Sequence, residues 1–249
     1  MMVQIIGLKK IPVIKRGDNI GDRIVQAARA EHVQIANRDI IVIAQKIVSK
    51  AEGHVIRLKN VAASQLAEQI AKDTGKDPRL VETILRESAG IVRMTKGHLI
   101  VETRHGFVCA NAGVDRSNAP GQDSVVLLPK DPDRSAREIR QRIRDLTGAN
   151  VGVVISDTFG RAWRIGQVNV AIGVAGLRPI VDYRGSKDMF GYMLNVTQMA
   201  IADELASAAE LVMKKSDRIP VAIFRGVQYP KGKGSARDLI RPKEDDLFR

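Results

Sequence analysis

The chain has 249 residues, 44% of them hydrophobic and 27% charged, which is typical of a globular protein that buries a sizeable core. No apolar run approaches a membrane span, the N-terminus lacks a signal-peptide pattern, and the single Cys109 excludes an internal disulfide, so we expect a cytoplasmic protein. The net charge of +12 favours anionic partners, and an aromatic content of only 4% favours small molecules over nucleic acid.

The first half of the chain shows apolar periodicity from which strands and helices can be predicted. Strands are predicted at residues 3–6 and 39–44, helices at residues 19–32, at 64–75 and from 77 onward, and a β-meander at residues 90–111. The helix boundaries rest on Asp18 as an N-cap, on Gly75 as a C-terminal stop, and on Asp77 before Pro78.

The second half of the chain continues this alternation of helices and strands. Strands are predicted at residues 151–155, 169–176 and 219–225, an apolar segment at 125–128, and helices at 194–213 and from a capping box at Ser135 and Glu138 to Gly148. Residues 182–192 form a polar loop of a kind that often binds ligands, and residues 231–249 form a loosely packed basic tail. The sequence predicts an α+β fold with mixed or antiparallel sheets and flanking helices, as one unit over residues 1–249 with a division into two subdomains left open.

Two lysines follow the buried strand at residues 39–44, where the chain leaves the predicted sheet. Lys46 and Lys50 are suited to hold phosphate groups as point charges at this position. The alternative is that both are solvated loop residues. The segment is not a Walker A loop, because GxxxxGK[ST] occurs nowhere in the chain.

Two further apolar segments end in polar residues that suit a metal ion. Asp157 and Thr158 follow the strand at residues 151–155, and Asp115 follows the last strand of the meander. If the two strand ends meet, Asp115 and Asp157 form a two-carboxylate site of the kind that holds Mg²⁺ or Mn²⁺ together with substrate phosphates. The alternative is an ordinary turn after each strand.

Several long motifs, in the same order along the chain, resemble the coenzyme F-420-0:γ-glutamyl ligase family. The motifs are IVSKAEG at residues 47–53, NAGVDRSN at 111–118, LLPKDPDRSA at 127–136, LTG with VGVVISDTFGR at 146–161, AIGVAG at 171–176 and RGSKDMFGY at 184–192. The resemblance extends from IPVI at residue 11 to FRGV ending at residue 227.

The resemblance implies an enzyme that joins L-glutamate to a carboxylate of a deazaflavin precursor, using GTP, a divalent Mg²⁺ or Mn²⁺ ion and a monovalent cation such as K⁺. It also implies an intertwined homodimer, and it assigns Asp115, Asp157 and Thr158 as metal ligands. The residues at nucleotide-contacting positions by resemblance are Ile11, Pro12, Val13, Ile14, Gln45, Lys50, Asn118, Met213, Lys214 and Lys215, and Lys46 is added by its position after the strand.

The chain departs from the family pattern at Lys215. Some members have an acidic residue here that helps to hold metal, and a lysine cannot ligate Mg²⁺. The sequence therefore leaves open whether a second metal ion binds and whether Lys215 contacts a phosphate or points to solvent.

Chemistry read from the residues agrees with this family. Phosphoryl transfer to a carboxylate gives an acyl phosphate that an amine can attack, and the transfer depends mainly on positioning and on neutralising charge. Two aspartates, a threonine hydroxyl and nearby lysines meet that need without a protein nucleophile. Two other interpretations stay open, namely the same reaction on a folate-like pterin and a basic nucleic-acid-binding protein that shares the fold.

Overall fold

The structure of the protein, a computed structural model, describes residues 2–247, so Met1 and the last two residues of the predicted tail, 248 and 249, lie outside it. The helices are α1 (Ile20–Ala30), α2 (Gln45–Glu52), α3 (Gln65–Thr74), α4 (Pro78–Arg86), α5 (Pro132–Thr147) and α6 (Ile201–Met213). The strands are β1 (Gln4–Gly7), β2 (Ile40–Ala44), β3 (Val55–Arg57), β4 (Ser88–Thr95), β5 (His98–Thr103), β6 (Val108–Ala110), β7 (Ser124–Val126), β8 (Gly152–Arg161), β9 (Arg164–Ala175), β10 (Val181–Asp182), β11 (Gln198–Met199) and β12 (Val221–Arg225).

A five-stranded sheet in the order β1-β12-β2-β8-β9 forms the centre of the molecule. β2 and β8 pair in parallel, and the other neighbours in this sheet are antiparallel. The predicted meander is confirmed as the antiparallel sheet β4-β5-β6, and β3 pairs with β7. The architecture is a mixed α+β fold, as predicted.

Both faces of the central sheet are covered, which explains why its strands are apolar along their whole length. Side chains alternate between the two faces of a strand, so Ile41 and Ile43 of β2 pack with α1 and α5, whereas Ile40 and Val42 pack with α6. Each fully buried side chain of this size contributes about 1.5–3 kcal/mol. The central sheet is thus the middle one of three layers.

A separate apolar cluster lies outside these layers. It joins α3 and α4 to β5 and β7, with Ile70, Ile84, Leu99 and Val125 among its buried members. The predicted Gly75 stop of α3 and the predicted Asp77 cap of α4 are confirmed, since Gly75 takes the left-handed conformation and the Asp77 side chain accepts from the Arg79 N–H.

Three predicted helix starts were wrong or displaced. α1 is capped by Asn19, because the Asp18 carboxylate accepts from the Lys15 N–H and pairs with Arg23 instead. α5 begins at Pro132 rather than at a Ser135 capping box, because Asp131 caps the Arg134 N–H. α6 begins only at Ile201, because β11 in the preceding segment pairs with β10.

Two elements next to the candidate site also differ from expectation. Residues 45–52 form helix α2 rather than a connecting loop, since Ile47 and Val48 pack in the core and Gly53 ends the helix at φ 79°. β8 does not stop at Ile155 but continues to Arg161, where it turns into β9. Asp157 and Thr158 therefore lie within a strand, not in a turn after it.

Part of the predicted basic tail is anchored to the body of the protein. The Ser235 hydroxyl and the Ala236 N–H donate to the Asp133 carboxylate of α5, and Ala236 is buried. Residues 241–247 are mostly exposed. None of the helices within residues 2–247 has the length and apolar character needed to cross a membrane.

Candidate active site

The parallel pairing of β2 and β8 creates the centre of the candidate site. Ala44 lies opposite Ser156 in the register, so the next residues, Gln45 and Asp157, leave the sheet at the same edge. There β2 turns into α2, while β8 continues past the sheet as one arm of the β8–β9 hairpin. The crevice at the carboxyl ends of parallel strands is where open α/β sheets usually bind ligands.

Asp157 carries the most perturbed carboxylate of this crevice. Burial of the carboxyl group is the main cause that raises its pKa to about 6, and the negative charge of Asp115 adds to the rise. The Thr158 backbone N–H, the charge of Lys46 and the Gln45 amide act in the opposite direction but do not outweigh burial. An ionised Asp157 is therefore under-compensated, and a bound cation would stabilise it.

Gln45 presents a buried amide group to the same crevice. Its side chain is 1% exposed, and its Oε1 accepts from the Ser49 hydroxyl at 2.8 Å. Its Nε2 makes no hydrogen bond within residues 2–247, although the amide lies close enough to Asp157 to lower its pKa. A buried N–H₂ group without an acceptor costs about 1–3 kcal/mol, so an acceptor atom from a ligand is expected here.

Asp115 faces the crevice from the loop after β6. Its Oδ2 accepts from the Lys46 ammonium at 2.6 Å and from the Ser117 hydroxyl at 2.7 Å, and its Oδ1 accepts from the Ser117 N–H at 2.8 Å. Burial would raise the pKa of Asp115, but these hydrogen bonds outweigh it and lower the pKa. Lys46 also donates to the Ser117 hydroxyl, so its ammonium links α2 to the loop that carries Asp115.

Lys50 lies one turn after Lys46 on α2. It is half-buried, and burial followed by the charge of Lys46 lowers its pKa. Within residues 2–247 the Lys50 ammonium forms no ion pair and no hydrogen bond. A half-buried cation that lacks a protein partner is suited to hold an anionic ligand.

The remaining predicted nucleotide residues lie around α2 and at the end of α6. Residues 11–14 lie shortly before Gly17, whose N–H donates to the Ala51 carbonyl of α2. Within this segment Ile14 packs with the α2 side chains, and Val13 is exposed. Asn118 is exposed in the Asp115 loop. The side chain of Met213 is buried in the core, and Lys214 pairs with Asp217 at 3.2 Å.

Thr158 does not join the carboxylate pair. Its hydroxyl contacts Asn169 and Lys215, and the Lys215 ammonium also pairs with Glu210. Asn169 and Glu210 were not among the site residues predicted from the sequence. The available signals were a lone amide in the otherwise apolar end of β9 and a carboxylate on the alanine-rich α6.

The donor set of the crevice fits one divalent cation. Within the described part of the chain no group of three or more histidine, cysteine, aspartate or glutamate residues could hold a metal ion. Asp115 and Asp157 supply two carboxylates, which is the number that Mg²⁺ commonly takes from a protein when substrate phosphates and water complete the shell. The arrangement is thus typical of enzymes that act on phosphate-bearing substrates.

Comparison with known proteins assigns the chain to a family. Residues 9–226 match the model of the F420-0:gamma-glutamyl ligase family, and the chain belongs to it. It is 49% identical to the coenzyme F420:L-glutamate ligase of Methanocaldococcus jannaschii, over 99% of this chain and 97% of the relative. It is 47% identical to the protein of the same name from Methanothermobacter thermautotrophicus, over the full length of both. The sequence-based assignment to this family, and to the ligases, is confirmed.

Proposed function

We propose that the protein adds L-glutamate to the deazaflavin precursor coenzyme F-420-0, in a reaction that consumes GTP, requires Mg²⁺ or Mn²⁺ and passes through an acyl phosphate. The near full-length similarity to ligases of that name supports the overall reaction. The observation that carries the mechanism is the half-buried Asp157, whose negative charge is only partly compensated, beside the Gln45 Nε2 group that lacks an acceptor in the described residues.

The chemistry needs activation of a carboxylate, which is a poor electrophile. An oxygen of the acceptor carboxylate attacks the γ-phosphorus of GTP, the bond to the β-phosphate oxygen breaks, and GDP leaves. The amine of glutamate then attacks the carbonyl carbon of the acyl phosphate, the C–O bond to phosphate breaks, and the amine loses its proton to solvent. Cys109 takes no part, since burial raises the pKa of its thiol to about 12.

The residues of the crevice divide this work between them. Asp115 and Asp157 would hold the divalent cation, which when bound neutralises charge on the phosphates. Lys46 now pairs with Asp115, and a cation at that carboxylate would release the lysine to contact a phosphate. Lys50 and the Gln45 Nε2 group, both without partners in the described residues, would donate to phosphate oxygens. A monovalent cation such as K⁺ remains part of the proposal.

The proposal includes a homodimer located in the cytoplasm. Large apolar side chains stand exposed at the turn between β8 and β9, where Trp163 is 86% and Ile165 101% exposed, and in the polar loop, where Phe190 is 86% exposed. Large apolar side chains exposed within a short stretch of chain, as at Trp163 and Ile165, favour a protein interface. Light scattering should give the mass of a dimer, and Ile165→Asp should shift it toward the monomer, whereas Leu66→Asp at the exposed face of α3 should not.

The test is a turnover assay with coenzyme F-420-0, L-glutamate, GTP and Mn²⁺, in which the product mass is measured. The expected result is a mass increase of one or more glutamyl residues together with GDP release. ATP in place of GTP tests the nucleotide, and a folate-like pterin in place of coenzyme F-420-0 tests the acceptor. Salt-sensitive binding to random DNA without any nucleotide turnover would reject the proposal and favour a nucleic-acid-binding role.

A further inference from the structure

The ammonium group of Lys215 is surrounded by oxygen atoms from three different elements. It lies 2.7 Å from Thr158 Oγ1 on β8, 3.3 Å from Asn169 Oδ1 on β9 and 3.1 Å from Glu210 Oε2 on α6. One carboxylate, one amide carbonyl and one hydroxyl are the hard oxygen ligands that a metal cation would also choose. The lysine therefore occupies a small cation site built by the protein.

The oxygen atoms are held in place by bonds among themselves. Asn169 is 4% exposed, and its Nδ2 donates to Glu210 Oε2 at 2.9 Å, so its Oδ1 must face Thr158 and Lys215. The Thr158 hydroxyl donates to the same Oδ1 at 2.7 Å, which leaves its lone pairs for the ammonium. These bonds join Thr158, Asn169 and Glu210 without involving Lys215. Removal of the lysine would therefore leave a preformed set of ligands.

This cation site lies next to the crevice but on the other side of β8. Asp157 and Thr158 are consecutive residues of one strand, so their side chains project to opposite faces while their Cα atoms are about 3.8 Å apart. A positive charge held at the Thr158 hydroxyl therefore acts at short range on any ligand bound at Asp157. A second divalent ion at Thr158 would have to displace or approach a lysine ammonium.

We propose that Lys215 is a tethered cation that takes the place of a second divalent metal ion at Thr158, so that each protomer of this enzyme binds one divalent ion instead of two. The inference rests on the proposed function, because it presupposes a first divalent ion that binds together with the nucleotide. A monovalent ammonium fixed by three oxygens supplies positive charge beside the substrate phosphates at any concentration of free metal.

The neighbouring Lys214 provides the contrast that makes the inference testable. Lys214 carries the same charge and the same 62% side-chain exposure, but its ammonium pairs with Asp217 and not with Thr158, Asn169 or Glu210. If Lys215 were only one of two surface lysines at the end of α6, exchanging either residue would have the same effect on metal binding.

The experiment counts Mn²⁺ ions bound per protomer by electron paramagnetic resonance, with a saturating non-hydrolysable GTP analogue. Wild type is expected to bind one ion. Lys215→Glu, which replaces the ammonium with a further carboxylate, is expected to bind two, and Lys215→Met is expected to bind the second ion at higher Mn²⁺. Lys214→Glu and Lys214→Met are the matched controls and should bind one.

Three results would overturn the proposal that Lys215 is a tethered cation. They are two ions bound to wild type, no additional ion in either Lys215 variant, and an equal gain in the Lys214 variants. Asp157→Asn separates this result from the proposed function, because it should lose the first ion while leaving the Lys215 comparison intact. An unchanged first ion in Asp157→Asn would reject the Asp115–Asp157 site alone. A gain of an ion in the Lys215 variants would still support the tethered cation in that case.

Discussion

The two faces of strand β8 differ in how completely the protein satisfies its own polar groups. On the Asp157 face, a half-buried carboxylate has a raised pKa, Gln45 Nε2 lacks an acceptor, and Lys50 lacks an anion in the described residues. On the Thr158 face, the hydroxyl, Asn169, Glu210 and Lys215 are joined in a closed network.

This difference indicates which face awaits ligands. Buried polar groups of folded proteins are nearly always hydrogen-bonded, and the exceptions cluster where a ligand or ion supplies the missing partner. The Asp157 face is therefore the one on which we expect metal and phosphate, whereas the Thr158 face has been completed by the protein itself. Variants on the two faces should behave differently.

The largest effect is expected for Asp157→Asn in turnover. A neutral amide is a much weaker ligand for a hard cation, and the charge stabilisation that a metal supplies amounts to several kcal/mol, so the rate should fall about a thousandfold or more. Steady-state GDP release measures it. Asp145→Asn, at an exposed carboxylate of α5 that accepts from Gln141, should turn over like wild type. Activity close to wild type in Asp157→Asn would show that this face does not hold the metal.

The next effect concerns the stability of the metal-free protein as a function of pH. The pKa of Asp157 is near 3.8 in the unfolded chain and about 6 in the folded one, so between these values the folded state binds more protons. The contribution of this carboxyl group to the free energy of unfolding is therefore most favourable below about pH 4, falls as the pH rises to about 6, and is constant above that. A shift of about two pKa units corresponds to about 3 kcal/mol at pH 7.5.

Asp157→Asn removes this pH-dependent contribution to the free energy of unfolding, because the asparagine amide does not titrate. Relative to wild type, its free energy of unfolding should rise by up to about 3 kcal/mol between pH 4 and pH 7.5. Urea denaturation in the presence of a chelator measures the two profiles. Parallel profiles would mean that the carboxylate is better compensated than its burial indicates.

A smaller effect is expected for Lys50→Ala in nucleotide binding. Loss of a charged hydrogen bond to phosphate should weaken GTP binding by about 1–3 kcal/mol. Isothermal titration calorimetry measures the change, and Lys72→Ala on the exposed face of α3 is the control. If both variants bind GTP with wild-type affinity, Lys50 is a solvated lysine, which is the alternative that the sequence left open.

The smallest effect is expected for Lys215→Met on stability. Its ion pair with Glu210 is largely exposed, and exposed pairs contribute about 0–1 kcal/mol. The free energy of unfolding should therefore fall by less than about 1 kcal/mol, similar to Lys214→Met. A loss of several kcal/mol specific to Lys215 would show that the network on the Thr158 face mainly holds the fold together.

Local features of this fold could be predicted from sequence because short-range chemistry determines them. Asp77 has few alternatives to capping the helix that follows it, and Gly75 relieves the strain of a left-handed C-terminus. The errors arose where two local signals compete. Asp131 and Ser135 both offer an N-cap for α5, and only packing decides that the helix begins earlier.

The candidate site was predictable in part for the same reason. The sequence shows that Asp115 and Asp157 follow apolar segments, and the parallel register of β2 and β8 then brings Asp157 beside Gln45, with Lys46 linking to Asp115. Lys215 and Thr158 are 57 residues apart in the sequence, and their contact depends on how the end of α6 lies over β9. No local sequence pattern therefore predicts it. Long-range contacts of this kind require the tertiary structure.

The burial of Cys109 makes the molecule convenient for chemical labelling. It is the only cysteine of the chain, it is 7% exposed, and its raised pKa leaves almost no thiolate at neutral pH. Alkylating and maleimide reagents should leave the native protein unmodified. A cysteine introduced at an exposed position such as Leu247 would then be the single reactive thiol, and a spin label or fluorophore could be attached there without first replacing the native residue.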